Sequence, residues 1–417
     1  MVFVRDPGRS DTIIIGGGPA GLSCAIQCSL PGRRTLVLEK TEACGKKLLI
    51  TGSGQCNLTH AGDIRDFPRH YGVNGKFLKP ALSAWTNRDL CSFFATYGVP
   101  LETEADGKVF PRSRRSRDVL HVLLQACREK GTEIRCGEPV SSVNREKEVF
   151  RVDTSQGRYY SHHLVIATGG ASYPATGSSG DGYRFAASLT HTLVPPAPAL
   201  TPVYIDPFPL ADLAGISFPG MVFTIWRENR KVAGCRGDVL ITHTGLSGPG
   251  ILDNSRSMLA GDEIRLSFVG GVPPDTCARE IVSGIPGQGF RNVASLLARY
   301  RIPSRVLDRL LELSGIDPHL SCAHLPAEKR KRIVASLTAF PLTISGLGDF
   351  TTAMVTRGGV ALHDVTARTM ESRHINNLFF AGEVLDIDGD TGGYNLQAAF
   401  STGWLAGTSI RNRLLPP

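Results

Sequence analysis

Residues 11–21 read Asp-Thr-Ile-Ile-Ile-Gly-Gly-Gly-Pro-Ala-Gly, and no other stretch constrains the fold as strongly. The β-branched run Ile13–Ile15 predicts a buried strand, and Leu22–Ser29 predicts a helix. Between them lies Gly16-x-Gly18-x-x-Gly21. Gly16 permits a tight turn, Gly18 lets the backbone approach a pyrophosphate, and Gly21 lets the helix sit close to the strand. The helix start, with Pro19 and Ala20, offers N–H groups and partial positive charge to phosphates. A second strand, Leu36–Leu38, ends at Glu39, eighteen residues after Gly21 and just before Lys40. Glu39 stands where an acid accepts the ribose hydroxyls of an adenosine. This is a β-α-β unit of about 30 residues, and it predicts dinucleotide binding. The other reading is a glycine-rich turn that holds no ligand, and the loop alone does not separate NAD from FAD.

Two later segments separate them. Leu164–Gly170 reads as a buried strand running into Thr168-Gly169-Gly170. Asn377–Glu383 reads as a last strand ending in Gly382 and Glu383, followed by Asp386 and by a helix from about Asn395. Flavoproteins of the glutathione-reductase type carry both signals. By that resemblance the Ala-Thr-Gly turn lies toward the adenosine and the terminal acid toward the ribityl chain. The closing helix then points at the flavin ring, where its N-terminus stabilises negative charge. The expected cofactor is therefore one FAD, held without a covalent bond.

A chain of 417 residues suggests two or three domains. Its 41% hydrophobic and 20% charged residues describe a globular chain. No apolar run reaches the length of a membrane span, and nothing near the start reads as a signal peptide. The ten cysteines are scattered with no Cys-x-x-Cys pair, so a reducing cytoplasm is expected and no metal site. Cys24 and Cys28 stand one helical turn apart, as a redox pair or as ordinary packing. The net charge of +8 allows a polyanionic partner. Much of it sits in two clusters, Arg112-Arg114-Arg115-Arg117 and Lys329-Arg330-Lys331-Arg332, which read either as nucleic-acid contacts or as solvated faces.

The prolines from Pro195 to Pro202 mark a boundary. Alternating segments such as Val222–Trp226 and Glu263–Phe268 predict antiparallel strands, and residues 289–338 a helical stretch. The expected organisation is α/β: a Rossmann-like FAD domain over 1–194 and 351–417. It is interrupted by a β-barrel insert over 195–275 and 336–350, with a helical subdomain over 276–335. There is no internal repeat.

Four motifs carry a closer resemblance: Lys46–Thr59, Thr242–Pro249, Val355–Val360, and Ala381–Asp386 with Thr391–Gln397. Together they resemble the BaiN/RdsA family of FAD-dependent oxidoreductases over nearly the whole chain. The resemblance implies cofactor contacts from Lys47, Gly54, Cys56 and Asn57, and from Gly392, Gly393, Tyr394, Asn395, Leu396 and Gln397. Gln55 stands where the family usually has a basic residue, and His60 where Asn is common.

The family implies several reactions: reduction of steroid enones, oxidation of a small amine such as aminoacetone, and reduction of a ribosomal RNA uridine to dihydrouridine. Three readings follow. The favoured one is a reductase of an activated C=C bond, driven by NADH or NADPH, with a uridine of large-subunit ribosomal RNA as substrate. The others are an amine oxidase or small-molecule enone reductase, and a non-catalytic FAD-binding redox sensor. The insert shows no second Gly-x-Gly-x-x-Gly, so the nicotinamide donor is expected to bind transiently. Cys56 and His243 are the candidate proton donors, and Arg357 the candidate to polarise a carbonyl or hold a phosphate. Each has a structural alternative: a buried thiol, a hydrogen-bonded histidine beside a glycine turn, an ion-paired arginine. The oligomeric state is left open.

Overall fold

The structure, a computed structural model, describes residues 8–285 and 292–415. The parts of the expected segments at 1–7, 286–291 and 416–417 lie outside the described residues, including the first residues of the helical stretch read from 289. The chain divides into two compact units, Met1–Ala199 with Ala353–Pro417, and Leu200–Thr352.

The first unit is built on β1 (Arg9–Ile15), α1 (Pro19–Cys28), β2 (Thr35–Leu38), α2 (Lys46–Ile50), α3 (Ser116–Glu129), β3 (Glu133–Arg135) and β4 (Arg158–Ile166). After these come β5 (Leu193–Ala199), β6 (Val355–Val360), β7 (Leu378–Phe380) and α4 (Tyr394–Leu414). Five strands run parallel in the order β7-β4-β1-β2-β3, within a nine-stranded sheet whose remaining strands pair antiparallel. Ile13, Ile14, Leu36, Val37, Leu164–Ile166 and Leu378–Phe380 are fully buried. Unbroken apolar runs are what a parallel sheet covered on both faces requires. On α3, Val119, Val122, Leu123, Ala126 and Cys127 are buried, one apolar stripe at helical spacing. Cys24 and Cys28 are buried free thiols on α1.

The first unit extends to Ala199 instead of ending at 194. The reason is a two-stranded ladder, in which β5 pairs antiparallel with β6, from Leu193 opposite Val360 to Ala199 opposite Val355. Its register shifts between Val194 and Ala197, where Pro195 and Pro196 withhold N–H donors. The prolines mark a small edge ladder, and the chain leaves the first unit five residues later.

The second unit carries a seven-stranded antiparallel sheet centred on the pair Ser217–Arg227 and Arg230–Ile241. Among the described residues no ladder joins its two end strands. The segment 340–347 serves both edges instead: Ile344 N–H donates to Asp262 O and Ser345 N–H to Tyr204 O, each at 2.8 Å. What the structure shows is thus a sheet whose edges meet in one bent segment, where a barrel was expected. The helices Pro274–Gly284, Val293–Leu297, Ser304–Leu313 and Ala327–Thr338 share one hydrophobic core with this sheet. They do not form a core of their own, because Ile281, Leu307, Leu310 and Ile333 are buried together with Phe223 and Ile225.

Candidate functional site

The strand ends of the first unit align. Ile15 stands opposite both Leu38 and Ile166, and Ile166 opposite Phe380. The residues that follow these four ends are Gly16, Glu39, Ala167-Thr168-Gly169 and Ala381-Gly382-Glu383. All of them line one pocket. This is the carboxyl-end crevice of an open parallel sheet, where such folds bind ligands.

The glycine loop forms the pocket's floor. Gly16 has φ +111°, and a Cβ there would lie 2.4 Å from Ala167 O. A Cβ on Gly21 would lie 1.9 Å from Gly16 O. A Cβ on Gly18 would meet nothing within 4 Å. The first and third glycines are therefore required by packing, and the second keeps space open. Gly18 caps α1 without a side-chain bond and is followed by Pro19, and Gly18, Pro19 and Ala20 line the pocket at the start of the helix. Glu39 lines the pocket while its Oε2 accepts Gly17 N–H at 2.8 Å and its Oε1 accepts Thr41 N–H at 2.8 Å and the Thr41 hydroxyl at 2.9 Å. One carboxylate thus ties the glycine loop to the end of β2.

On the opposite wall Lys47 Nζ donates to Glu383 at 2.8 and 3.0 Å, and Glu383 Oε1 also accepts Thr356 N–H at 2.8 Å. Lys40 Nζ pairs with Asp181 at 2.6 Å. Thr168 Oγ1 is buried in this wall with no hydrogen-bond partner. A Cβ on Gly182 would lie 2.1 Å from this hydroxyl, which therefore packs against Gly182. The open space at Gly18 and the start of α1, which has no side-chain cap, fit a dinucleotide such as FAD. Asn395 and Leu396, at the start of α4, complete the pocket.

Other expected contacts stand outside the pocket lining. Cys56 is fully buried with φ +62°, and burial pushes its thiol up to about 12, offset in part by a hydrogen bond from Thr51. Its N–H donates to Thr51 O at 2.9 Å and closes the loop that contains Gly54. With its amide turned to donate to Thr59 O at 3.0 Å, Asn57 accepts Gly393 N–H at 3.1 Å. Gln397 accepts the Thr59 hydroxyl at 2.6 Å and donates to Trp85 O and Ser401 Oγ. Tyr394 stacks between His70 at 3.9 Å and His60 at 5.1 Å. Asp386 accepts from Asn74. A Cβ on Gly170 would lie 2.5 Å from Thr356 Oγ1, and one on Gly393 would lie 2.4 Å from Thr59 O, while Gly392 turns the chain at φ +111°.

The two departures from the family pattern also have partners. Gln55 Oε1 accepts from Arg114 at 3.3 Å, and His60 Nε2 bonds Asp106 O at 3.0 Å. Arg357 is exposed on β6. His243 belongs to the second unit, exposed in a turn closed by Thr242 N–H to Gly245 O at 2.9 Å. In the first basic cluster Arg114 is held by Glu102 and Glu104 and stacks on Phe110 at 4.4 Å; Arg112, Arg115 and Arg117 are exposed, and Arg115 pairs with Asp118 at 3.3 Å. In the second, Lys331 pairs with Glu328 and Arg330 donates to Leu325 O.

The pocket also takes Glu138, Val140, Gly177, Asp181, Met354 and Thr402, none of which the sequence singled out. Thr402 has a legible signal, since it stands two helical turns after Asn395 on the same face of α4. The others reach the pocket through tertiary contacts alone.

Fold and site together define an α/β protein of the Rossmann FAD-binding class. Residues 10–409 match the HI0933-like protein Rossmann domain family, and the chain belongs to it. It is an FAD-dependent oxidoreductase of that family, in keeping with the BaiN/RdsA resemblance. It is 31% identical over 405 residues to the ribosomal RNA dihydrouridine synthase of Escherichia coli K12, covering 95% of this chain and 96% of that one. It is 29% identical over 408 residues to the 3-dehydro-bile acid delta(4,6)-reductase of Clostridium scindens, covering 96% and 98%. Among solved structures it resembles an Escherichia coli quinol fumarate reductase FrdA chain, with TM-score 0.50 and 15% identity over 97% of this chain and 70% of that one. That likeness concerns the fold. Among the described residues no helix is long and apolar enough to cross a membrane.

Proposed function

We propose that this protein, acting in the cytoplasm, saturates an activated carbon–carbon double bond at the expense of NADH or NADPH, and that its favoured substrate is a uridine of large-subunit ribosomal RNA. The observation that carries the RNA reading is the placement of the first basic cluster. Ser116, at the start of α3, donates its hydroxyl to Leu49 O at 2.9 Å. This bond ties the turn bearing Arg112 and Arg115, with Arg117 in the first turn of α3, to the segment 46–51, whose Lys46, Lys47, Leu48 and Thr51 line the pocket. Cations at a helix N-terminus are unfavourable by themselves, and phosphates are what such a cluster binds. The names of the ribosomal RNA dihydrouridine synthases, at 31% and 30% identity, point the same way. The cluster Lys329–Arg332 is a second proposed phosphate contact.

When bound, FAD supplies the hydride for one carbon of the double bond. The loop Gly16–Gly21, Thr168 and the start of α4 hold and orient it. His243 and Cys56 are the proposed donors of the proton to the neighbouring carbon, and Arg357 polarises the substrate carbonyl or holds a phosphate. A general acid works only while protonated. A thiol held at about 12 by burial keeps its proton across the range from 6 to 10, so a Cys56 donor predicts a rate that does not fall with rising pH there. Cys56→Ser and His243→Asn, compared for turnover with FAD content held equal, separate the two.

The deciding experiment is mass spectrometry of ribosomal RNA nucleosides from a deletion strain and its complement. Dihydrouridine disappears in the deletion and returns with the wild-type gene; an unchanged level sinks the RNA reading. The second reading, reduction of a small enone, draws on the bile acid reductase relative. It predicts NAD(P)H consumption with a 3-keto steroid enone and intact ribosomal RNA modification in the deletion strain. Slow reaction of the reduced protein with oxygen argues against an amine oxidase. Rapid anaerobic bleaching of the flavin by NADH or NADPH argues against a mere redox sensor.

A further inference from the structure

We propose that Cys44 and Cys136 form a reversible disulfide that clamps one wall of the cofactor pocket. Their sulfur atoms stand 3.8 Å apart. A disulfide needs about 2.05 Å, so the two side chains have less than 2 Å to close. The loops that carry them are already joined. Glu39 N–H donates to Arg135 O at 2.8 Å, Gly137 N–H to Thr41 O at 2.8 Å, and Glu138 N–H to Glu39 O at 3.0 Å. Little chain entropy remains to be lost when the bond forms.

The environments of the two thiols differ as such a pair requires. Cys136 is the one exposed cysteine of the ten, and Cys44 is 3% exposed. Burial first, then the neighbouring Cys136, pushes the Cys44 thiol up. Cys136 therefore meets an oxidant first and Cys44 resolves the product. The oxidant is hydrogen peroxide. The Cys136 thiolate attacks one peroxide oxygen, the O–O bond breaks, and the other oxygen leaves as water after taking a proton. The resulting sulfenic acid is attacked by Cys44 Sγ, which gives up its proton as the S–O bond breaks and a second water leaves. Two thiols are oxidised and one peroxide is reduced to two waters. A thiol reductant reverses the bond.

The location gives the bond a consequence. Cys44 lies between β2 and α2, on a loop whose Glu39, Lys40, Thr41 and Gly45 line the pocket. Cys136 directly follows β3, just before the lining residues Glu138 and Val140. A Cβ on Gly17 would lie 2.4 Å from Cys44 Sγ, so this thiol packs directly behind the glycine loop. Linking the two loops fixes that wall and slows escape of the cofactor; this part rests on the reading that the pocket holds FAD.

The test treats the FAD-loaded full chain with a small excess of hydrogen peroxide and then removes the peroxide. Titratable thiols are expected to fall by two per chain, with a Cys44–Cys136 linked peptide in a non-reducing digest. Dissociation of FAD on dilution is expected to slow severalfold and to recover with dithiothreitol. Cys136→Ser, at an exposed position, is expected to abolish both effects. Loss of one thiol without the linked peptide overturns the proposal, and so does the linked peptide with an unchanged FAD dissociation rate. The linked peptide is also read on chain without FAD, so failure to bind the cofactor and failure to form the bond are told apart.

Discussion

The three glycines of the phosphate loop make different demands. Gly18 has φ −84°, which any residue adopts, and open space where a Cβ would project. Gly18→Ala is expected to change unfolding free energy by no more than about 0.5 kcal/mol, while FAD affinity falls about tenfold or more, a loss of about 1.4 kcal/mol or more. Gly21→Ala drives its methyl against Gly16 O and is expected to cost about 1–3 kcal/mol or more in urea unfolding. If both variants lost stability equally, Gly18 would be a packing glycine and not a ligand-facing one. Asp364 gives a prediction in pH. Burial alone would raise its pKa, but His374 Nε2 at 2.7 Å and Thr192 N–H at 2.7 Å outweigh it and hold the carboxyl near 2. A depressed carboxyl contributes stability above its unfolded value, near 3.8, and that contribution is lost as pH falls through 2. Urea melts between pH 5 and 2 should show a steeper acid loss for the wild type than for Asp364→Asn.

At the scale of elements, the crossing of α1 and α4 couples the fold to the site. A Cβ on Gly403 would lie 2.1 Å from Ala20 O, and one on Gly407 would lie 2.6 Å from Cys24 O. The helices touch backbone to backbone because two glycines on one face of α4 allow it. Ala20 lies in the first turn of α1 and lines the pocket. Gly403→Ala is expected to cost about 1–3 kcal/mol and to weaken FAD binding as well, seen as a lower thermal midpoint and faster flavin release. Gln397 shows what an element reading leaves open. It stands in the motif as a cofactor residue, yet on α4 it faces Trp85, Thr59 and Ser401. Gln397→Ala strands buried polar partners and is expected to cost about 1–3 kcal/mol, with FAD affinity falling only as far as the loop behind the pocket loosens. A period of 3.6 places residues on a face, and the neighbours of that face come from elsewhere in the chain.

At the scale of the whole molecule, net charge alone allowed a polyanionic partner. The structure divides the first basic cluster into Arg114, committed to Glu102 and Glu104, and three exposed arginines beside a pocket wall. Replacing Arg112, Arg115 and Arg117 with Ala is expected to weaken binding of a single-stranded ribosomal RNA fragment and to flatten the slope of log K against log salt by about two. FAD content should stay the same. An unchanged salt slope would assign these arginines to a solvated face.

The sequence by itself determined the β-α-β unit, its glycine turn, the aligned runs that become β1, β2, β4 and β7, and the class of cofactor. These are local properties: buried parallel strands need continuous apolar runs, and a phosphate turn needs glycines at set spacings. Only the tertiary structure decided which marked residues reach the pocket lining. Glu39, Lys47, Glu383 and Asn395 reach the lining; Cys56, Asn57, Tyr394 and Gln397 do not. It also decided that the helices after Gly270 share a core with the second sheet, and that Cys44 meets Cys136 across 92 positions of chain. The physical reason is the same in each case: a side chain's partners depend on distances that spacing along the chain does not encode.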